Sequence, residues 1–136
     1  MVCPYCSSKT EVINSRRQKR SNQVWRRRKC LECSAIFTSH ESIDLAASLR
    51  VKKEGELTPF VSDMLFTEVL LSLQDRKNYY TEARELTDTI TQQLLRLPDS
   101  PVFTPELISK TASEVLKRFN RRAWHRFVVE HPSLQT

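Results

Sequence analysis

The sequence predicts a small α+β protein in two parts: a metal-nucleated β unit over residues 1–48, then a mainly helical unit over 49–136 that opens with a β-hairpin. Three observations predict it. All four cysteines lie within residues 3–33, as two Cys-x-x-Cys pairs. Gly55, the single glycine of the chain, sits between two short segments of strand character. Beyond it, apolar residues recur at helical spacing in four successive stretches broken by proline or polar residues.

Two thiolates held two residues apart grip one metal ion from a tight turn, and two such turns complete a tetrahedral set. Cys3-Pro4-Tyr5-Cys6 and Cys30-Leu31-Glu32-Cys33 therefore predict one zinc ion per chain. A disulfide framework is the alternative in short secreted chains, but no apolar leader stands ahead of Cys3 in a sequence beginning Met1-Val2. A redox pair needs one Cys-x-x-Cys only, and iron is the other thiophilic metal such a set accepts. Four thiolates leave no open coordination position, so the ion is structural. The large apolar residues of 1–48, among them Val12, Ile13, Val24, Trp25, Ile36, Phe37 and Ile43, make too small a core without it. The pattern is that of a zinc ribbon, with strands expected at 11–14, 22–27 and 35–39 and His40, outside the completed ligand set, at the surface or in packing.

At 136 residues the chain holds a mini-domain and a slightly larger one. It contains no apolar run of about eighteen residues that would span a membrane. The formal charge is +6, unevenly placed: residues 1–50 carry 10 Lys/Arg against 4 Asp/Glu, and residues 51–136 carry 12 against 12. Zinc with four thiolates lowers the first figure by two and leaves that half basic. Such asymmetry directs one half toward a polyanion.

Between the cysteine pairs lie Arg16, Arg17, Lys19, Arg20, Arg26, Arg27, Arg28 and Lys29. A solvated charge run is the bland explanation. Against it, the run has almost no acids, is anchored at both ends by the metal, and includes Asn14, Ser15, Asn22, Gln23 and Trp25, which hydrogen-bond or stack. Arg16, Arg17, Arg26, Arg27 and Arg28 are accordingly the candidate nucleic-acid-binding residues, meeting phosphates and, at one or two positions, base edges. In an extended segment Arg26 and Arg28 share one face, Trp25 and Arg27 the other. Spacing separates neither the two faces as binding surfaces nor DNA from RNA.

Residues 39–48 read as a connector with a helical turn. The hairpin is expected at 49–53 and 56–60 around Glu54-Gly55, where glycine supplies a positive-φ turn position. Helices are expected at 63–73 with Ser62 as cap, at 82–96 with Thr81 as cap, from Thr104-Pro105-Glu106 onward through Phe119, and at 121–130, with a proline-rich break at 97–102. No catalytic residues are identified. For His40, His125 and His131 the sequence shows no pairing with a nucleophile or a carboxylate, and no phosphate-binding glycine motif is present.

The chain resembles the NrdR family, bacterial transcriptional repressors of ribonucleotide reductase genes, over nearly its whole length. The matching stretches are Cys3-Pro4-Tyr5-Cys6, Asn14-Ser15-Arg16, residues 22–33 with Arg26-Arg27-Arg28, and Phe37-Thr38-Ser39 with Glu41. In the second half, Val51-Lys52-Lys53-Glu54-Gly55 with Pro59-Phe60 resembles the opening hairpin of an ATP-cone, and Ala123-Trp124-His125-Arg126-Phe127 its closing helix. The resemblance implies a ribbon that binds operator repeats in double-stranded DNA. It also implies a cone whose adenine nucleotide, ATP or dATP, selects the homo-oligomer able to bind them in the bacterial cytoplasm, at the nucleoid. Val51, Lys52 and Lys53 are the candidate nucleotide-binding residues.

Departures from the family pattern are specific. Ser7 and Ser34 stand where glycine usually follows each second knuckle cysteine. Thr58, Val61 and Met64 replace an acid, an aspartate and a lysine of the cone, so nucleotide binding is expected to be weakened or altered. The competing functions are a zinc-ribbon RNA- or ribosome-associated protein, a DNA-binding oligomer whose cone has lost its nucleotide, and a structural adaptor; an enzyme ranks last.

Overall fold

A computed structural model describes residues 1–97 and 100–135. The chain divides into two compact units, Met1–Ile43 and Asp44–Thr136. The border falls ahead of residue 48 because the connector helix α1 (Leu45–Ser48) is tied to the second unit. Asp44 caps α1, accepting from the Ala47 amide at 3.0 Å, and the Arg50 guanidinium donates to the Ala46 carbonyl at 2.6 Å. Leu45 packs against the second unit's core.

The first unit is a three-stranded antiparallel sheet, β1 (Thr10–Gln18), β2 (Gln23–Cys30) and β3 (Ile36–Glu41), in that order. The strands run beyond the expected limits: the β1–β2 ladder continues through Arg17 opposite Val24 to Gln18 opposite Gln23. Polar side chains on both faces hide such a ladder from any search for apolar alternation. A register shift between Val12 and Asn14 leaves Ile13 in a bulge. Within Met1–Ile43 the buried residues are Cys3 and Cys30.

In the second unit, β4 (Arg50–Lys53) pairs antiparallel with β5 (Glu56–Pro59) and parallel with β6 (Val102–Phe103). Glu54 and Gly55 both take positive φ, 51° and 87°, the pattern of a two-residue type I′ hairpin turn. Helices α2 (Ser62–Ser72), α3 (Tyr79–Arg96), α4 (Pro105–Phe119) and α5 (Arg121–Glu130) pack each on the next, and α5 returns against α2. Their inward stripes, with Leu65, Val69, Leu73, Ala83, Ile90, Leu94, Leu116 and Phe127 all buried, meet Leu49, Phe60 and Phe103 from the sheet side in one apolar cluster.

Thr104 caps α4 as expected, accepting from the Leu107 amide at 3.2 Å with Pro105 in the first turn. Asn120 does the same for α5 through the Ala123 amide at 3.0 Å. The caps expected at Ser62 and Thr81 are not formed. Helix α2 starts at Ser62 itself, after Val61, and α3 starts at Tyr79, after Asn78. The earlier start of α3 brings Tyr80 edge-on to Phe66 and places Glu82 in the first turn, paired with Arg76, where a carboxylate is also favoured by the helix dipole. Of the break expected at 97–102, Pro98 and Asp99 lie outside the described residues.

Candidate metal centre and nucleic-acid interface

Each cysteine pair sits on a turn closed by the chain's own amides. The Cys3 amide donates to the Ser8 carbonyl at 2.9 Å, and the Cys30 amide donates to the Ala35 carbonyl at 2.9 Å. Within the turns the Tyr5 amide points at the Cys3 sulfur, and those of Glu32 and Cys33 at the Cys30 sulfur, each at 3.4 Å. Leaving the knuckles, the backbone turns left-handed at Ser7 (φ 61°) and Ser34 (φ 60°), the two positions where glycine would be unstrained.

The four sulfurs converge, all within 4.8 Å of one another; Cys3 and Cys33 are 3.7 Å apart and Cys6 and Cys30 3.4 Å. A tetrahedron with metal–sulfur bonds of about 2.3 Å has edges of about 3.8 Å, so the set fits one zinc ion. No disulfide joins the four cysteines. So much sulfur in one place cannot carry full thiolate charge unaided. Hydrogen bonds from the Ser8 hydroxyl and amide draw Cys6 down to about 6. Cys33 is pushed up to about 12: a hydrogen bond from the Ala35 amide opposes the rise, and the sulfurs of Cys30, Cys6 and Cys3, with desolvation, drive it. A divalent cation at the centre resolves that conflict by stabilising all four thiolates at once. His40, on β3 and exposed, is no part of the set.

Cross-strand pairing sorts the basic residues into two faces. Arg16, Trp25 and His40 lie side by side in one row, and Asn14, Arg27 and Thr38 in the next. Lys29 follows on the same face, between Glu11 and Ile36. Arg17 with Val24, Ser15 with Arg26 and Ser39, and Arg28 with Phe37 make up the opposite face. On that second face Arg26 donates to the Glu41 carboxylate at 2.7 Å and the Arg28 Nε to the Ser39 hydroxyl at 2.9 Å. The five candidate arginines are thus brought onto one sheet but not onto one side of it.

The hairpin residues are spread as well. Val51 pairs with Thr58 and Phe103 and packs, half-buried, against the apolar cluster. Lys52 and Lys53 are exposed, and alternation along β4 puts Lys53 on the Val51 side and Lys52 on the other. Met64, in the first turn of α2, is 66% exposed. A cleft of about 730 Å³ between α2 and α5, lined by residues such as Glu68, Leu71, His125 and Val129, receives none of these side chains.

Comparison with known proteins extends the match beyond the cysteines. The family model described as "Transcriptional repressor NrdR-like, N-terminal domain" matches residues 1–41. Proteins named "Transcriptional repressor NrdR" are similar along both units. That of Petrotoga mobilis is 30% identical, covering 93% of this chain and 85% of the relative. That of Symbiobacterium thermophilum is 32% identical, with 93% and 84% covered, and that of Azorhizobium caulinodans 33% identical, with 93% and 73% covered. A four-sulfur centre that anchors a basic three-stranded sheet, a hairpin-led helical unit after it in the chain, and similarity that runs through both together establish that this chain belongs to the NrdR family.

Proposed function

We propose that the chain is a transcriptional repressor that binds double-stranded operator DNA of ribonucleotide reductase genes through the sheet of Met1–Ile43. The carrying observation is that sheet: exposed arginines and hydrogen-bonding side chains held in rows by a four-cysteine zinc centre, in a chain whose relatives are named transcriptional repressors. Zinc does no chemistry here; it fixes the strands so that the cations arrive already ordered.

In the second unit, Asp44–Thr136, we place adenine nucleotide, ATP or dATP, against Val51, Lys52 and Lys53. In this reading the nucleotide acts through homo-oligomer size and touches no DNA. Assembly decides how many ribbons engage one duplex together, and linked sites gain affinity steeply when geometry lets them bind at once. No helix among the described residues is long and apolar enough to cross a membrane. The proposed location is the bacterial cytoplasm, at the nucleoid.

The test is fluorescence anisotropy of a labelled duplex from upstream of a ribonucleotide reductase gene against a scrambled duplex, without nucleotide and with ATP or dATP, with oligomer mass measured in parallel by light scattering. Preference for the upstream duplex that changes with nucleotide and tracks mass is the expected result. Equal binding to both duplexes, or to an RNA hairpin in preference to either, overturns the repressor reading. Preference for the upstream duplex with no response to nucleotide leaves a zinc-ribbon DNA-binding oligomer.

A further inference from the structure

We propose that the ribbon sheet meets DNA with one face only, the face of Arg16, Arg27 and Lys29, while Arg26 and Arg28 brace the sheet from behind. This rests on the DNA-binding reading above and names which of its cations carry it.

Three observations separate the faces. The first is exposure. On β2 and β3, Arg27, Lys29, Thr38 and His40 are exposed with Trp25 half-buried among them, whereas Arg26, Arg28, Phe37 and Ser39 on the other face are half-buried, with Glu41 exposed at its end. The second is pairing. Arg16, Arg27 and Lys29 form no ion pair among the described residues, while Arg26 is held by Glu41 and Arg28 by Ser39. An unpaired cation delivers its whole charge to a phosphate and releases a counterion; Arg26 would have to exchange one anion for another. The third is chemistry. The rows Arg16–Trp25–His40 and Asn14–Arg27–Thr38 alternate cations with an indole, an imidazole, an amide and a hydroxyl. The opposite face sets Val24 and Phe37 among its arginines, whereas on the proposed face an apolar side chain, Ile36, and a carboxylate, Glu11, stand only beside Lys29 at its end.

Geometry suits a groove. The major groove, about 12 Å wide, admits two strands of a sheet, and side chains on one face of a strand recur about every 6.7 Å, so with the strands running across the groove a middle row meets the bases and the rows on either side meet the two backbones. Arginine reads guanine and asparagine reads adenine, each with two hydrogen bonds. The Asn14–Arg27–Thr38 row is therefore the base-reading row, and Arg16 and Lys29 on either side of it hold phosphates.

Arg16 and Arg17 make the test sharp: they are neighbours, both exposed, equal in charge and on opposite faces. Full-length zinc-loaded variants are titrated with a random-sequence duplex over a range of salt, and zinc content confirms that each ribbon is folded. Arg16→Ala, Arg27→Ala and Lys29→Ala combined should lower the log–log salt slope by roughly 0.9 for each phosphate no longer neutralised. Arg17→Ala should leave the slope unchanged. Against a duplex enriched by selection from a random library, Arg27→Ala and Asn14→Ala should each reduce discrimination by roughly 5- to 100-fold. An Arg17→Ala loss equal to that of Arg16→Ala, or an unchanged slope in the triple variant, overturns the face assignment while DNA binding stands. Wild-type protein that binds neither duplex overturns the underlying reading instead.

Discussion

The two units solve the same problem by opposite means. Met1–Ile43 buries Cys3 and Cys30 and leaves Val12, Ile13 and Ile36 about half exposed. Asp44–Thr136 buries a continuous apolar cluster from all four long helices, joined by Leu49 and Phe60 at the ends of the hairpin and by Phe103 of β6. An unfolded short chain loses entropy on ordering that a few exposed valines and isoleucines cannot offset. The first unit meets that demand with metal–sulfur bonds, the second with apolar area. The difference frees the ribbon's surface: with the metal as its core, both faces of the sheet can carry polar and charged side chains.

The comparison breaks most visibly at the metal. Cys30→Ser removes a buried ligand that also accepts the Glu32 and Cys33 amides. Structural zinc supplies on the order of 10 kcal/mol to small ribbons and fingers, so the first unit should unfold completely while the helices of the second remain. Circular dichroism should keep its helical signal while DNA binding disappears. Metal analysis of wild-type protein purified without added metal should return about one zinc per chain; iron as the main metal would contradict the site.

The reverse break is Leu94→Ala. Leu94 is 1% exposed on the inward stripe of α3. Truncation should cost about 2–5 kcal/mol, read as a lower unfolding midpoint of the helical unit. Zinc content should not move. A variant that lost zinc and helix together would show that the two stabilities are coupled.

How much of this is legible in the sequence depends on where each signal resides. The zinc centre is fully readable, because four cysteines in two pairs are a local pattern with one geometry. So is α5, found at Arg121–Glu130 where apolar spacing and Pro132 place it. Strand β6 is not, because Val102 and Phe103 follow prolines and gain strand character only by pairing with Arg50 and Val51 far away in sequence. The arginines are readable as a cluster but not as two faces. Alternation separates Arg26 and Arg28 from Arg27, yet their partners Glu41 and Ser39 lie on another strand, and only the register reveals them.

Ser7 and Ser34 sharpen the comparison at smaller scale. Their φ values of 61° and 60° are left-handed, and a side chain there costs about 1–2 kcal/mol. Glycine relieves that strain, although its greater freedom in the unfolded chain takes some of the gain back. Ser7→Gly and Ser34→Gly should each stabilise the ribbon by about 1 kcal/mol, seen as slower zinc loss to a chelator. The helical unit should melt unchanged.

The smallest effect tests whether the second unit's hairpin region holds nucleotide. Met64 is 66% exposed and contributes nothing to the apolar cluster, so Met64→Lys removes no packing. Stability should shift by no more than about 0.5 kcal/mol, as surface changes usually do. The new ammonium sits in the first turn of α2, a poor place for a cation because the helix dipole is positive there. A bound triphosphate would reverse that penalty by supplying the negative charge. Exposed charge pairs contribute about 0.2–1 kcal/mol, so ATP and dATP affinity should rise by at most a few-fold. Calorimetric titration of wild type and variant with both nucleotides decides it. Tighter binding in the variant places phosphate within reach of residue 64. Unchanged affinity moves the phosphates elsewhere on the unit, and a wild type that binds neither nucleotide at millimolar concentration leaves the helical unit to assembly alone.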